Sequence, residues 1–92
     1  MLKTTAMGGY RMEHYGNKNI VHRRLKVARK KARLSQGDLA ARMQTMNVNI
    51  DQQMISRIER NQRIVTDYEV VYFAKALNLS ALWLLSGHED LP

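Results

Sequence analysis

Four polar helix-start signals divide this chain into segments so short that only a bundle of small helices can be assembled from them. Ser35, Asp51, Thr66 and Ser80 each stand just ahead of an apolar helical pattern. Side-chain oxygens at such positions accept from the unpaired amides of a first helical turn. Two of the four carry an acid three residues on. Ser35-Gln36-Gly37-Asp38 and Thr66-Asp67-Tyr68-Glu69 have the form of a capping box, in which that acid bonds back to the cap amide. The aspartate of the first box is shorter than the usual Glu or Gln. Asn47, Asn61 and Asn78 stand where helices have to stop, and asparagine tolerates the left-handed backbone of a helix terminus. Gly87 closes the last segment. No stretch alternates at the period of a strand, so the expected class is all-α, a compact bundle of five short helices.

The apolar periods between these signals nominate the core. Val21, Leu25, Ala28 and Ala32 form the stripe of a first helix over residues 20–34, with Val27 off it. Leu39, Ala40 and Met43 line the second helix, and Met46 extends it. Residues 44–50 read as the connection to the third, anchored by Val48 and Ile50. Asp51 caps a third helix that buries Ile55 and Ile58 and ends near Asn61. Val70, Val71, Ala74 and Leu77 supply the stripe of a fourth, with Phe73 beside it, and Ser80 caps a short fifth.

Charge narrows the partner. The 92 residues carry a formal charge of +7, which favours a polyanion, nucleic acid before anionic membrane. Residues 20–34 hold seven cations (Arg23, Arg24, Lys26, Arg29, Lys30, Lys31, Arg33) and no acid. So one-sided a run repels itself unless anions answer it. The longest apolar runs, residues 70–74 and 81–85, fall far short of the roughly 20 residues of a membrane span, so no membrane partner is expected. Cysteine is absent and the three histidines are scattered, so no metal site and no cofactor is expected. Residues 1–19 read as a disordered or loosely attached arm, part of which fits an appended leader. The alternative is a basic arm (Lys3, Arg11, Lys18) reaching along phosphates or into a minor groove. Residues 20–87 form the domain and residues 88–92 a short tail.

The third helix has the most telling surface. Opposite Ile55 and Ile58 it presents Gln52, Gln53, Ser56, Arg57 and Arg60, a face of amides and guanidinium groups with no carboxylate. These groups form paired hydrogen bonds with base edges in the major groove, so the helix is expected to enter double-stranded DNA. Gln36, in the first turn of the second helix, stands where exposed amides and the helix dipole favour a phosphate. Met54 is expected to pack in the core rather than touch a thymine methyl. Trp83, among Leu82, Leu84 and Leu85, reads as a core or dimer-interface aromatic rather than a base-stacking platform.

Four motifs in order, Leu34-Ser35-Gln36 with Leu39-Ala40, Ile55-Ser56-Arg57-Ile58-Glu59, Ala74-Lys75-Ala76-Leu77-Asn78-Leu79-Ser80 and Trp83-Leu84-Leu85-Ser86-Gly87, resemble the xenobiotic-response-element helix-turn-helix family of lambdoid phage repressors and Cro. The resemblance covers residues 20–87 and implies a lambda repressor-like DNA-binding domain. It implies base contacts from Gln52 and Gln53 and a contact to base or backbone from Arg57, and Ser56 on the same face is expected to join the base-contacting set with Arg57. It implies phosphate contacts from Gln36, Arg60, Asn61 and Arg63, which Arg24 of the cationic first helix is expected to join. It also implies a structural ion pair between Arg29 and Glu59. The sequence departs from the family pattern in three places. The turn between the second and third helices is about five residues longer, Arg60-Asn61 replaces the usual Asn-Gly, and Gly37 stands where helix formers are common.

The expected function is therefore sequence-specific transcriptional regulation, a repressor first, by a homodimer in the cytoplasm of a bacterial or phage-type system. The alternative is an antitoxin or protein-interaction module of a small operon, with DNA binding serving autoregulation. Enzymatic activity is not expected, since no carboxylate cluster, nucleophile–base pair or glycine-rich phosphate loop is visible.

Overall fold

Each helix but the first begins where a side-chain oxygen closes its opening turn. The computed structural model describes residues 15–87. Within them the chain forms α1 (His22–Lys31), α2 (Gln36–Thr45), α3 (Gln52–Glu59), α4 (Asp67–Ala76) and α5 (Ala81–Leu85). The Asp38 amide donates to Ser35 Oγ at 2.9 Å and the Ser35 amide to Asp38 Oδ2 at 2.9 Å, so the short aspartate does close its box. Thr66 and Glu69 close theirs at 3.3 and 3.1 Å. The Met54 amide donates to Asp51 Oδ1 at 2.8 Å, and the Asp51 amide donates to the Met54 sulfur at 3.4 Å. A thioether thus stands in for the carboxylate of a capping box. Met54 is half-buried against the core.

The asparagines end the helices as their backbone tolerance suggests, at φ 64° for Asn47, 61° for Asn61 and 55° for Asn78. Arg33 turns left-handed too, at φ 60°, without an asparagine's short amide to support it. This is why α1 stops at Lys31 rather than running to residue 34. The Arg33 amide bonds Lys30 O and the Leu34 amide bonds Arg29 O, tying off the last turn.

The core gathers Val21, Leu25, Leu39, Met43, Ile50, Ile55, Ile58, Phe73 and Leu84, all essentially inaccessible. Two expected members are absent. Ala32 lies beyond the last turn of α1 and is exposed, so that stripe ends at Ala28. Val71 is 43% exposed while Phe73 is fully buried. α4 packs on both α2 and α5, and the sector it buries holds Val70, Phe73, Ala74 and Leu77, leaving Val71 on the flank.

Helix α3 lies against α1 and α2, and α2 bridges α3 to α4. The connection between α2 and α3 is anchored along its length. Val48 and Ile50 are buried, the Val48 amide bonds Met43 O, and Gln44 Nε2 donates to Ile50 O at 3.0 Å. Arg42 Nη1 donates to Ala76 O at 2.8 Å, fixing α2 to the end of α4.

Residues 17–19, assigned from sequence to a loose arm, are instead fastened to the body. Asn19 is buried, and its amide nitrogen donates to Ile58 O and Arg63 O at 3.0 Å each while its oxygen accepts from the Val21 amide. Asn61 Oδ1 accepts from the amides of Lys18 and Asn19, and Asn61 Nδ2 donates to Asn17 Oδ1. The partners lie some forty positions away, so no local pattern announces them. Expectations for residues 1–14, including Lys3 and Arg11, and for the tail at 88–92 lie outside the described residues.

Candidate nucleic-acid interface

Helix α3 is held at three points, which leaves its outer face free. Its inner side is fixed by Ile55 and Ile58, both fully buried, and burial of such a side chain stabilises by about 1.5–3 kcal/mol. Its start is fixed by the Asp51 cap. Its end is fixed by Asn19, through Ile58 O, and by an ion pair beneath Glu59.

That pair joins α1 to α3 in two-pronged geometry. Arg29 Nε lies 2.7 Å from Glu59 Oε2 and Arg29 Nη2 lies 3.0 Å from Glu59 Oε1, while Nη1 donates to Leu34 O at 2.8 Å. The side chains are 9% and 3% exposed. The hydrogen bond to Glu59 raises the Arg29 pKa above its ordinary value, outweighing the burial that opposes it. Gln36 Nε2 donates to Glu59 Oε1 at 3.0 Å, so one carboxylate holds both the guanidinium of α1 and the first side chain of α2.

On the outward side, Gln36, Gln52, Gln53, Ser56, Arg57 and Arg60 line one surface recess of about 340 Å³. None of the six is acidic, because Glu59, the acid of α3, is turned inward. Gln52, Gln53, Arg57 and Arg60 are exposed, and Gln36 and Ser56 half-buried. Among the described residues the side chains of Gln52, Gln53 and Arg57 make no hydrogen bond, whereas Arg60 Nε reaches back to Ser56 O at 3.3 Å. Gly37 sits beside them. A Cβ there would meet Gln52 Oε1 at 3.7 Å, an ordinary contact, so glycine is not demanded at this turn.

Three sequence-nominated residues lie apart from this recess. The Arg24 guanidinium stacks over the Trp83 ring, 4.8 Å from its centroid, and Nη1 donates to Trp83 O at 2.9 Å. Trp83 is thus not a core residue. It is 39% exposed beneath an arginine of α1. A Cβ at Gly87 would fall 3.1 Å from Arg24 Cγ and 3.3 Å from Ile20 O, so glycine permits this close approach. Arg63 makes a two-pronged pair with Glu69, at 2.9 and 3.0 Å. Burial pushes Glu69 upward, but the Arg63 hydrogen bonds and the Thr66 amide outweigh it and hold the carboxyl below its ordinary value. Asn61 spends its side chain on residues 17–19.

Sequence reasoning missed Asn19, Arg42 and Gln44, which position α3 and α2. The partners of Asn19 and Arg42 lie 39 and 34 positions away, and that of Gln44 lies six positions on, at a spacing no helical or strand period singles out.

The outward surface of α3 is polar and carries no acid. Amides and a guanidinium stand clear at the start and middle of a fixed helix, and their free hydrogen-bonding groups match base edges. No curated protein matches the chain. The sequence model of the helix-turn-helix family matches residues 25–84, well over half of the chain, from the second turn of α1 to the penultimate residue of α5. With α2 and α3 as the helix pair, the chain belongs to the helix-turn-helix family of lambda repressor-like DNA-binding regulators.

Proposed function

We propose that this protein is a sequence-specific transcriptional repressor that acts as a homodimer with α3 in the major groove of double-stranded DNA. The reading is carried by one observation: the free tips of Gln52, Gln53 and Arg57 beside a Gln36 braced on Glu59. Gln52 and Gln53 pair with base edges, adenine offering the two-pronged match for an amide, and Arg57 takes guanine. Ser56 contributes a hydroxyl to a neighbouring base. Gln36 and Arg60 bind phosphates and set the register. Arg24, Asn61 and Arg63 reach phosphate only by sharing their internal partners, so their contribution is smaller.

The test is Gln52→Ala measured on a selected duplex and on random DNA. Loss of a glutamine–adenine pair costs about 1–3 kcal/mol, or about 5- to 150-fold in affinity, on the selected duplex, with little change on random DNA. Equal losses on both would reject base reading by this residue. A second reading, a partner-binding antitoxin module that autoregulates through DNA, is favoured by Leu82, an apolar side chain 72% exposed on α5. A stoichiometric complex with a co-encoded chain would select it.

A further inference from the structure

Helix α4 buries one flank and presents a second apolar stripe on the other. Tyr68 is 56% and Val71 43% exposed, Tyr72 is half-buried and Lys75 exposed. These four stand at i, i+3, i+4 and i+7, the spacing that makes a continuous strip along a helix. A helix face turned to water ordinarily carries polar residues there. Lys75 Nζ already rests 4.9 Å over the Tyr72 ring, and Asp67 stands exposed at the opposite end of the helix.

We propose that this flank is the contact between two copies of the chain, with the α4 helices packed antiparallel across a two-fold axis passing between Val71 and Tyr72. The operation is unusually well satisfied by the strip. Tyr68 of one copy meets Lys75 of the other, Val71 meets Tyr72, and Asp67 comes beside Lys75. Every member of the stripe is answered by another member, which is what an isologous contact requires. Charge selects the orientation, because a parallel arrangement would set Asp67 against Asp67 and Lys75 against Lys75. In the antiparallel pair the Lys75 ammonium lies between its own Tyr72 and the second copy's Tyr68, a cation held by two aromatic faces. One ten-residue helix per copy buries less than the roughly 1,200 Å² of a standard interface. The contact is therefore weak in free protein and is completed when two half-sites hold the copies together. Its biological use rests on the homodimeric repressor proposed above, whereas the contact itself exists without DNA.

Sedimentation equilibrium of the full chain at rising concentration tests this, using wild type, Lys75→Glu, Asp67→Lys and an equimolar mixture of the two variants. The wild type is expected to self-associate reversibly and each variant alone to do so at least about tenfold more weakly. The mixture is expected to regain association, because opposite charges then face each other at both ends. Val71→Asp, at an exposed position, should abolish self-association with the helical circular dichroism unchanged. A wild type that stays monomeric throughout, a mixture no stronger than its separate components, or undiminished association in Val71→Asp would each overturn the proposal. Binding to a duplex carrying a single half-site separates the two readings. It should persist in all these proteins, and its absence from the wild type would reject the DNA-reading surface without touching the α4 contact.

Discussion

Glu59→Ala strikes at the group that joins three helices, and its consequence follows from the geometry. The Glu59 carboxylate accepts from Arg29 Nε at 2.7 Å, Arg29 Nη2 at 3.0 Å and Gln36 Nε2 at 3.0 Å. Without it the Arg29 guanidinium, itself 9% exposed, keeps only its bond to Leu34 O. Breaking one side of a buried pair costs about 3–5 kcal/mol, because the surviving charge is left uncompensated. Total stabilities run to about 5–15 kcal/mol, so about a fifth or more is at stake. The melting temperature should fall by about 12 °C or more, at about 4 °C per kcal/mol for a domain of this size. The control is the double variant Arg29→Met, Glu59→Leu, which removes both charges and should recover most of the loss, since apolar replacement of a buried pair is often near neutral. Urea denaturation followed by circular dichroism reads both. A loss below about 1 kcal/mol for Glu59→Ala, which is the range of an exposed pair, would refute the reasoning, as would a double variant no more stable than the single one.

Further consequences can be checked in the same way. Arg33 sits at φ 60°, a conformation that costs a side-chain-bearing residue about 1–2 kcal/mol, so Arg33→Gly should raise stability by about 1 kcal/mol in urea denaturation. Gly87→Ala places a methyl 3.1 Å from Arg24 Cγ. It should displace Arg24 from Trp83, shift the tryptophan emission and cost about 1 kcal/mol, the lower range of overpacking. Glu69 has a folded pKa below its ordinary 4.5, so its contribution is fully present above that value and is lost as pH falls through the lower folded one. The urea midpoint should therefore hold down to about pH 4.5 and then drop. Arg63→Met removes the main group opposing the burial of that carboxyl, so the drop should shrink or reverse.

What the chain reveals about itself divides along sequence distance. The caps at Ser35, Thr66 and Ser80 are legible because donor and acceptor lie within three residues, and the asparagine stops are legible because φ is a property of one residue. Core membership is legible at the centre of a stripe and ambiguous at its edge. Val71 and Phe73 differ by two positions, and only the placement of α2 and α5 decides which is buried. The ties that aim the interface are the least legible. Asn19 to Ile58, Arg24 to Trp83 and Arg63 to Glu69 are each a meeting of residues whose partner no spacing or period singles out. The polar outer face of α3 is readable from residues 52–60 alone, whereas the bracing of Gln36 by Glu59 needed the fold.

The central claim is that a braced helix offers its amide and guanidinium tips to a DNA duplex, and enrichment from random duplexes at two salt concentrations tests it most directly. The protein should enrich one short motif, repeated as two half-sites about one helical turn apart. Affinity should fall by about one hundredfold between 50 and 200 mM salt if about four phosphates are neutralised. Enrichment of no motif, with binding indifferent to salt, would contradict it.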